Sequence, residues 1–187
     1  MLLMLFLSSL AWQGSPRASP IAAVSTPCAD NADHQFDFWI GNWDIVEVEH
    51  PSAIVAHARI EAILKGCVLH EIFEGVDGHG GESFSIYDAT RRIWHQSWVT
   101  DHGQLLTIEG EWRNGAICLQ GADHLPDGTP RLVRGQWRAQ DSGVREVAAR
   151  SSDAGVTWVP WFDLLFRPHI SSQRPRREAG AGADQVP

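Results

Sequence analysis

Between residues 43 and 167 apolar and polar side chains alternate in short runs, each bounded by turn residues rather than continuing at helical period. About ten runs read as strands, at 43–50, 54–64, 67–75, 82–88, 93–100, 104–110, 112–121, 131–139, 143–151 and 158–167. The breaks between them carry turn chemistry: Asp77-Gly78-His79-Gly80-Gly81, Asp101-His102-Gly103, Asn114-Gly115, Pro126-Asp127-Gly128 and Asp141-Ser142-Gly143. Helical period is scarce, and only residues 30–38 suit a short helical lid. Neighbouring strands joined by short turns favour a closed barrel over a sandwich, because closure leaves no unpaired edge. The expected fold is all-β: a single antiparallel up-and-down barrel of about ten strands behind a short N-terminal helical strap.

The ends of the chain differ from its centre. Residues 1–10 form an apolar run, and a Ser/Pro/Ala-rich stretch follows, so residues 1–27 read as a secretory signal peptide and linker. Ser9-Leu10-Ala11 fits a small-x-small cleavage rule, and sites near Ala18 or Ala23 compete with it. The run is too short for a stable membrane span. The barrel is expected over residues 28–168, and residues 169–187, rich in Ser, Arg, Gly and Ala, read as a disordered tail. The expected product is exported, periplasmic or extracellular.

The length of 187 residues suits one core rather than two. A net charge of −8 argues against nucleic acid, which needs a basic surface to displace counterions from phosphate. Nine tryptophans against one tyrosine are open to two readings, rigid indoles that fill a barrel or an aromatic binding box.

Three cysteines bear on compartment. A Cys28–Cys67 disulfide would tie the N-terminal strap to the barrel wall, closing a loop of about 40 residues and stabilising by a few kcal/mol. Three free thiols are the alternative. Cys118, within Ala116-Ile117-Cys118-Leu119, reads as a small buried hydrophobe. No two cysteines or histidines stand at zinc-ligand spacing, so no metal is expected.

The segment Phe36-Asp37-Phe38-Trp39-Ile40-Gly41-Asn42-Trp43-Asp44 combines four large aromatics with a Gly-x-Trp step where the first strand begins. Glycine permits a tight bend there, and the tryptophan can close the end of a barrel. This segment resembles the start of a bacterial family of uncharacterised lipocalin-like, calycin-type proteins. Further matching stretches are Gly66-Cys67-x-Leu69-x-Glu71, Ser83-Phe84-x-Ile86-Tyr87-Asp88, Trp94-His95-Gln96-x-Trp98-Val99, Thr157-Trp158 and Phe162-Asp163. The resemblance implies a lipocalin-like barrel and, by analogy, an arginine packed over the Gly-x-Trp indole, for which Arg167 is the candidate. Separately, Ser151-x-Asp153-x-Gly155-x-Thr157-Trp158 is similar to the Asp-box of sialidases. A single copy reads as a stable hairpin without catalytic meaning.

Strand alternation sorts the central side chains into two faces. One carries Leu69, Glu71, Phe73, Ser83, Ser85, Tyr87, Trp94, Gln96 and Trp98; the other carries Val68, His70, Ile72, Phe84, Ile86, His95, Ser97 and Val99. The first is expected to face inward, since it joins aromatics to a few hydrogen-bonding groups as small-molecule pockets do. With Trp43 it forms the expected site for a small hydrophobic or amphipathic ligand, and no cofactor is implied. A second reading makes Glu71 the general acid/base of a cofactor-independent isomerase, cyclase or decarboxylase, with Tyr87 and His95 as catalytic partners. Alternatively, Glu71 only accepts hydrogen bonds from Tyr87, Ser83 or Gln96 and holds the strand register. A third, by analogy with nitrobindin barrels, is haem binding, with His95 or His169 as axial donor. Asp33-His34, Asp101-His102 and Asp123-His124 fall in turns, where adjacent side chains are expected to diverge. No hydrolase elbow, phosphate loop or dinucleotide fingerprint is present, and oligomeric state is open.

Overall fold

A computed structural model describes residues 27–170. Of the signal peptide and linker expected over residues 1–27 and the tail expected over residues 169–187, all but residues 27, 169 and 170 lie outside the described residues. Ten antiparallel strands close into one barrel: β1 (Gly41–Glu47), β2 (Ile54–Ile63), β3 (Val68–Gly75), β4 (Gly80–Asp88), β5 (Ile93–Thr100), β6 (Leu105–Arg113), β7 (Ala116–His124), β8 (Pro130–Gln140), β9 (Gly143–Ser151) and β10 (Val159–Pro168). Each strand pairs with its neighbours in sequence, and β1 pairs with β10 to complete the wall. No sheet edge is left open.

Observed strand limits depart most from expectation at β6 and β7. Trp112 and Arg113 continue β6, and β7 begins only at Ala116. The break falls at Asn114-Gly115, where both residues have positive φ, 52° and 76°, as a two-residue hairpin turn requires. Before β1 the chain makes successive turns and a single 3₁₀ turn, Asp37–Trp39. This lead-in is bolted to the wall by the Cys28–Cys67 disulfide, with Cα atoms 5.2 Å apart. Cys118 is free and half-buried.

One end of the barrel is plugged by the aromatic segment. Phe36 stacks on Trp39 with centroids 4.9 Å apart and meets Trp94 and Trp137 edge-on, both at 5.6 Å. Trp39 also packs against Phe166, and the Trp43 indole N–H donates to the Trp39 carbonyl at 2.9 Å. Trp94 donates to the Gln35 side-chain oxygen. Gly41 is needed beside this plug, because a Cβ there would lie 3.0 Å from the Trp43 ring. Half the tryptophans of the described residues, Trp39, Trp43, Trp94 and Trp137, therefore belong to one core cluster. Burial of such large rings is a principal stabilising term for a barrel of this size.

Arg167 does not cover Trp43. It is paired in register with Asp44, one residue out of phase with Trp43, and so stands on the outer wall, where it donates to the Pro51 carbonyl. Phe166 takes the place beside Trp43, at 6.5 Å. The β9–β10 hairpin has the internal bonding expected of its motif. Ser151 donates to Asp153, the Gly155 N–H donates to Ser151, the Thr157 N–H and hydroxyl donate to Asp153, and Trp158 donates to the Gly155 carbonyl.

Candidate functional site

Above the plug the barrel interior holds a cavity of about 230 Å³. This is below the roughly 300–1,000 Å³ of pockets that hold drug-sized molecules. Aromatic rings from Phe73, Trp98, Trp137, Trp161 and Phe162 line it, together with aliphatic side chains and three polar groups, Glu71, Gln96 and Glu146. A larger concavity of about 900 Å³ lies over the outer wall of β6–β10 and is open and edged by charged side chains. Its lining is rich in charged side chains of the outer wall, so the interior cavity, with its aromatic lining and few polar groups, is the candidate site.

The inward face of β3–β5 is the one that carries Glu71, Ser83, Ser85 and Gln96, all buried. Register places Glu71 opposite Ser83 and Ser85 opposite Gln96. The Ser83 hydroxyl donates to Glu71 Oε2 at 2.8 Å, and the Gln96 amide donates to Ser85 at 3.1 Å. Burial pushes the Glu71 carboxyl up to about 7, against the smaller opposing effect of the Ser83 hydrogen bond.

Glu146, on β9, was not among the expected site residues. It stands at an inward position between Val144 and Ala148, next to Trp137 across the β8–β9 ladder. Burial, and then the charge of Glu71, raise its carboxyl well above the ordinary range, while the Trp137 indole acts in the opposite sense. The Trp137 N–H is itself buried and reaches no acceptor at hydrogen-bonding geometry. Two carboxyl groups thus line one cavity, Glu71 buried and Glu146 half-buried, both with raised proton affinity. The signal in the sequence was the β9 alternation Val144-x-Glu146-x-Ala148. Beside Arg145, Glu146 reads as an ordinary exposed charge.

Of the ten expected ligand-contacting residues, Glu71, Phe73, Gln96 and Trp98 line the cavity. Ser83 and Ser85 lie behind it as hydrogen-bond partners. Leu69, Trp43 and Trp94 are packed into the core, and Tyr87 leans on Trp94 at 5.8 Å at the plugged end. Their height along the barrel, not their face, removes them from the cavity. Tyr87 is therefore displaced from Glu71 as a catalytic partner.

His95 is on the outer wall, where Nδ1 faces Glu109 at 2.9 Å and Nε2 faces Ser97 at 2.8 Å. It cannot share a site with Glu71. His169 is also outside, with Nδ1 2.7 Å from Asp44 Oδ1, an oxygen that His57 approaches at 2.9 Å. Neither histidine proposed for haem faces the cavity, so that reading loses its axial donor. Asp44, His57 and His169 come from three adjacent parts of the wall, and their convergence could not be read from spacing. Hydrogen bonds from His169, then from His57, hold the Asp44 carboxyl below the usual range. A second cluster, His79, Asp101 and His102, sits in exposed hairpin turns. There the adjacent Asp101 and His102 do not diverge but bond at 2.7 Å.

No protein-family model matches the chain, and no curated protein matches it. Among the described residues no helix is long and apolar enough to cross a membrane.

Proposed function

We infer that this protein is an exported lipocalin-like barrel that binds a small amphipathic molecule in its interior cavity. The observation that carries this reading is an aromatic-lined interior cavity with its few polar groups gathered on Glu71, Gln96 and Glu146. The apolar body of the ligand would lie against Phe73, Trp98 and Trp161, and its polar end against the carboxyls and the Gln96 amide. Export is supported by the Cys28–Cys67 disulfide, which persists in oxidising compartments. The test is native mass spectrometry of protein purified from the exported fraction, then denaturing extraction of whatever is bound. A retained small molecule with apolar and polar parts supports the reading. An empty protein whose tryptophan emission is unchanged across a panel of amphipathic compounds refutes it.

A second reading is favoured by one feature, the pair of carboxyls with raised proton affinity in a single cavity. Glu71, poised near neutral pH, would act as general acid/base with Glu146 rather than with Tyr87 or His95. Chemical change of the extracted ligand on incubation with wild-type protein, abolished by Glu71→Gln, is the expected sign. A ligand recovered unchanged would sink it.

A further inference from the structure

Resting on the reading of the cavity as a binding site, we propose that its ligand carries a protonated amine, seated between Glu71 and Glu146 within the aromatic wall. The lining includes two carboxyl groups and no Arg, Lys or His. Neither carboxyl is paired with a cation: Glu71 has Ser83 as its hydrogen-bond partner, and Glu146 is flanked by the Trp137 indole. Arg145 pairs with Asp163 and Arg91 with Glu109, both on the outer surface of the barrel.

Two acids without a counter-charge are an expensive lining for an apolar cavity, since each disfavours its charged form and the other's. An ammonium group supplies the missing charge. It would pair with carboxylates that have no other cation, and the Trp98 and Trp137 rings of the same lining add cation–π attraction. An alcohol of the same shape gains only a neutral hydrogen bond, and a carboxylate meets repulsion.

The groups surrounding the pair define the electrostatics. From β3 comes Glu71, from β4 Ser83, from β5 Gln96 and Trp98, from β6 Leu106 and Ile108, and from β8 Val133 and Trp137; β9 adds Glu146 and β10 adds Trp161, Phe162 and Leu164. The nearest cationic group on an inward register is Arg150, opposite Val133. Its guanidinium lies over the Trp161 ring and bonds Asp123, which also pairs with Arg131. Arg150 does not line the cavity. It neutralises Asp123 at the rim and leaves Glu71 and Glu146 for the ligand.

Amine binding should therefore expel a proton. Before binding, both carboxyls have raised proton affinity; an ammonium stabilises their ionised forms, so a cation enters as a proton leaves. Affinity should rise with pH through neutrality and level off once the pair ionises freely.

The test uses the full chain and three probes of one shape: phenethylamine, 2-phenylethanol and 3-phenylpropanoate. Isothermal titration at pH 7.5, in two buffers of different ionisation enthalpy, should show the amine binding at least tenfold more tightly than the alcohol, with proton release, and the acid not binding measurably. The Glu71→Gln/Glu146→Gln double variant should bring the amine to the level of the alcohol, and an unchanged near-ultraviolet circular dichroism spectrum shows that the aromatic packing of the barrel is intact. Alcohol or acid binding as tightly as the amine would overturn the amine assignment while leaving the cavity reading in place. Binding by none of the three would overturn it too, and an empty protein in native mass spectrometry would then remove the cavity reading as well.

Discussion

Replacing Glu71 by glutamine should make the protein more stable, and by an amount that depends on pH. The Glu71 carboxyl has an ordinary value of 4.5 and is raised to about 7 in the folded protein, mainly by burial. Below about 4.5 it is protonated in both folded and unfolded chains and carries no ionisation penalty. Between 4.5 and 7 the unfolded chain ionises while the folded one keeps its proton, so stability falls as pH rises. Above 7 the loss is complete. At about 1.4 kcal/mol per pH unit it amounts to about 3 kcal/mol. Glutamine keeps an oxygen to accept the Ser83 hydroxyl and has no charge to desolvate. It also relieves Glu146 of its charged neighbour, which acts in the same direction. Urea denaturation of both proteins with the disulfide intact, from pH 4.5 to 8.5, should show nearly equal stability at the acid end. At pH 8 the variant should be ahead by about 3 kcal/mol, or a midpoint higher by roughly 1–2 M urea. A gap that does not change with pH, or a variant less stable at pH 8, would refute the assignment of Glu71 as a desolvated carboxyl.

Replacing both Cys28 and Cys67 by serine opens a loop of sequence separation 39 and should cost about 4 kcal/mol in denaturant titration, with little pH dependence; a loss under 1 kcal/mol would mean the lead-in is held by its aromatic packing alone. Gly41→Ala places a Cβ 3.0 Å from the Trp43 ring and should destabilise by about 1–3 kcal/mol, with altered near-ultraviolet circular dichroism from the displaced indole. An unchanged spectrum and stability would count against the close approach. Asp153→Ala should lower the melting temperature at pH 7. Thr157's hydroxyl and N–H hold the Asp153 carboxyl down at about 2, so its contribution is present above the ordinary value of 3.8 and disappears as pH falls through about 2. Melting curves whose difference fails to shrink between pH 4 and pH 2 would contradict this.

Much of the architecture was legible because a strand's side-chain period is two and its breaks carry specific turn residues. Ten alternating runs with Gly, Asn and Asp between them leave few ways to satisfy backbone hydrogen bonds other than a closed meander. The same local rules explain the β9–β10 hairpin, whose bonds all lie within residues 151–158. They also explain the β6–β7 error: the run at 112–121 was drawn across Asn114-Gly115, although that dipeptide was itself the turn signal.

The site depended on relations that alternation does not contain. Period two assigns a residue to a face but not to a height along the barrel, and height separates Glu71 and Trp98, in the cavity, from Tyr87 and Trp94, beside the plug. That height follows from the stagger of ten strands around the closed wall and from how far Phe36 and Trp39 reach inward. Glu146 approaches Glu71 from across the barrel, and Asp44 gathers His57 and His169 from three separate segments. The amino-acid sequence alone determined an all-β chain, its turns and the two faces of its strands, because those are properties of consecutive residues. Which carboxyls share a cavity, which indoles only pack, and which histidines stay outside were decided by closure, since closure brings together residues that no local spacing relates.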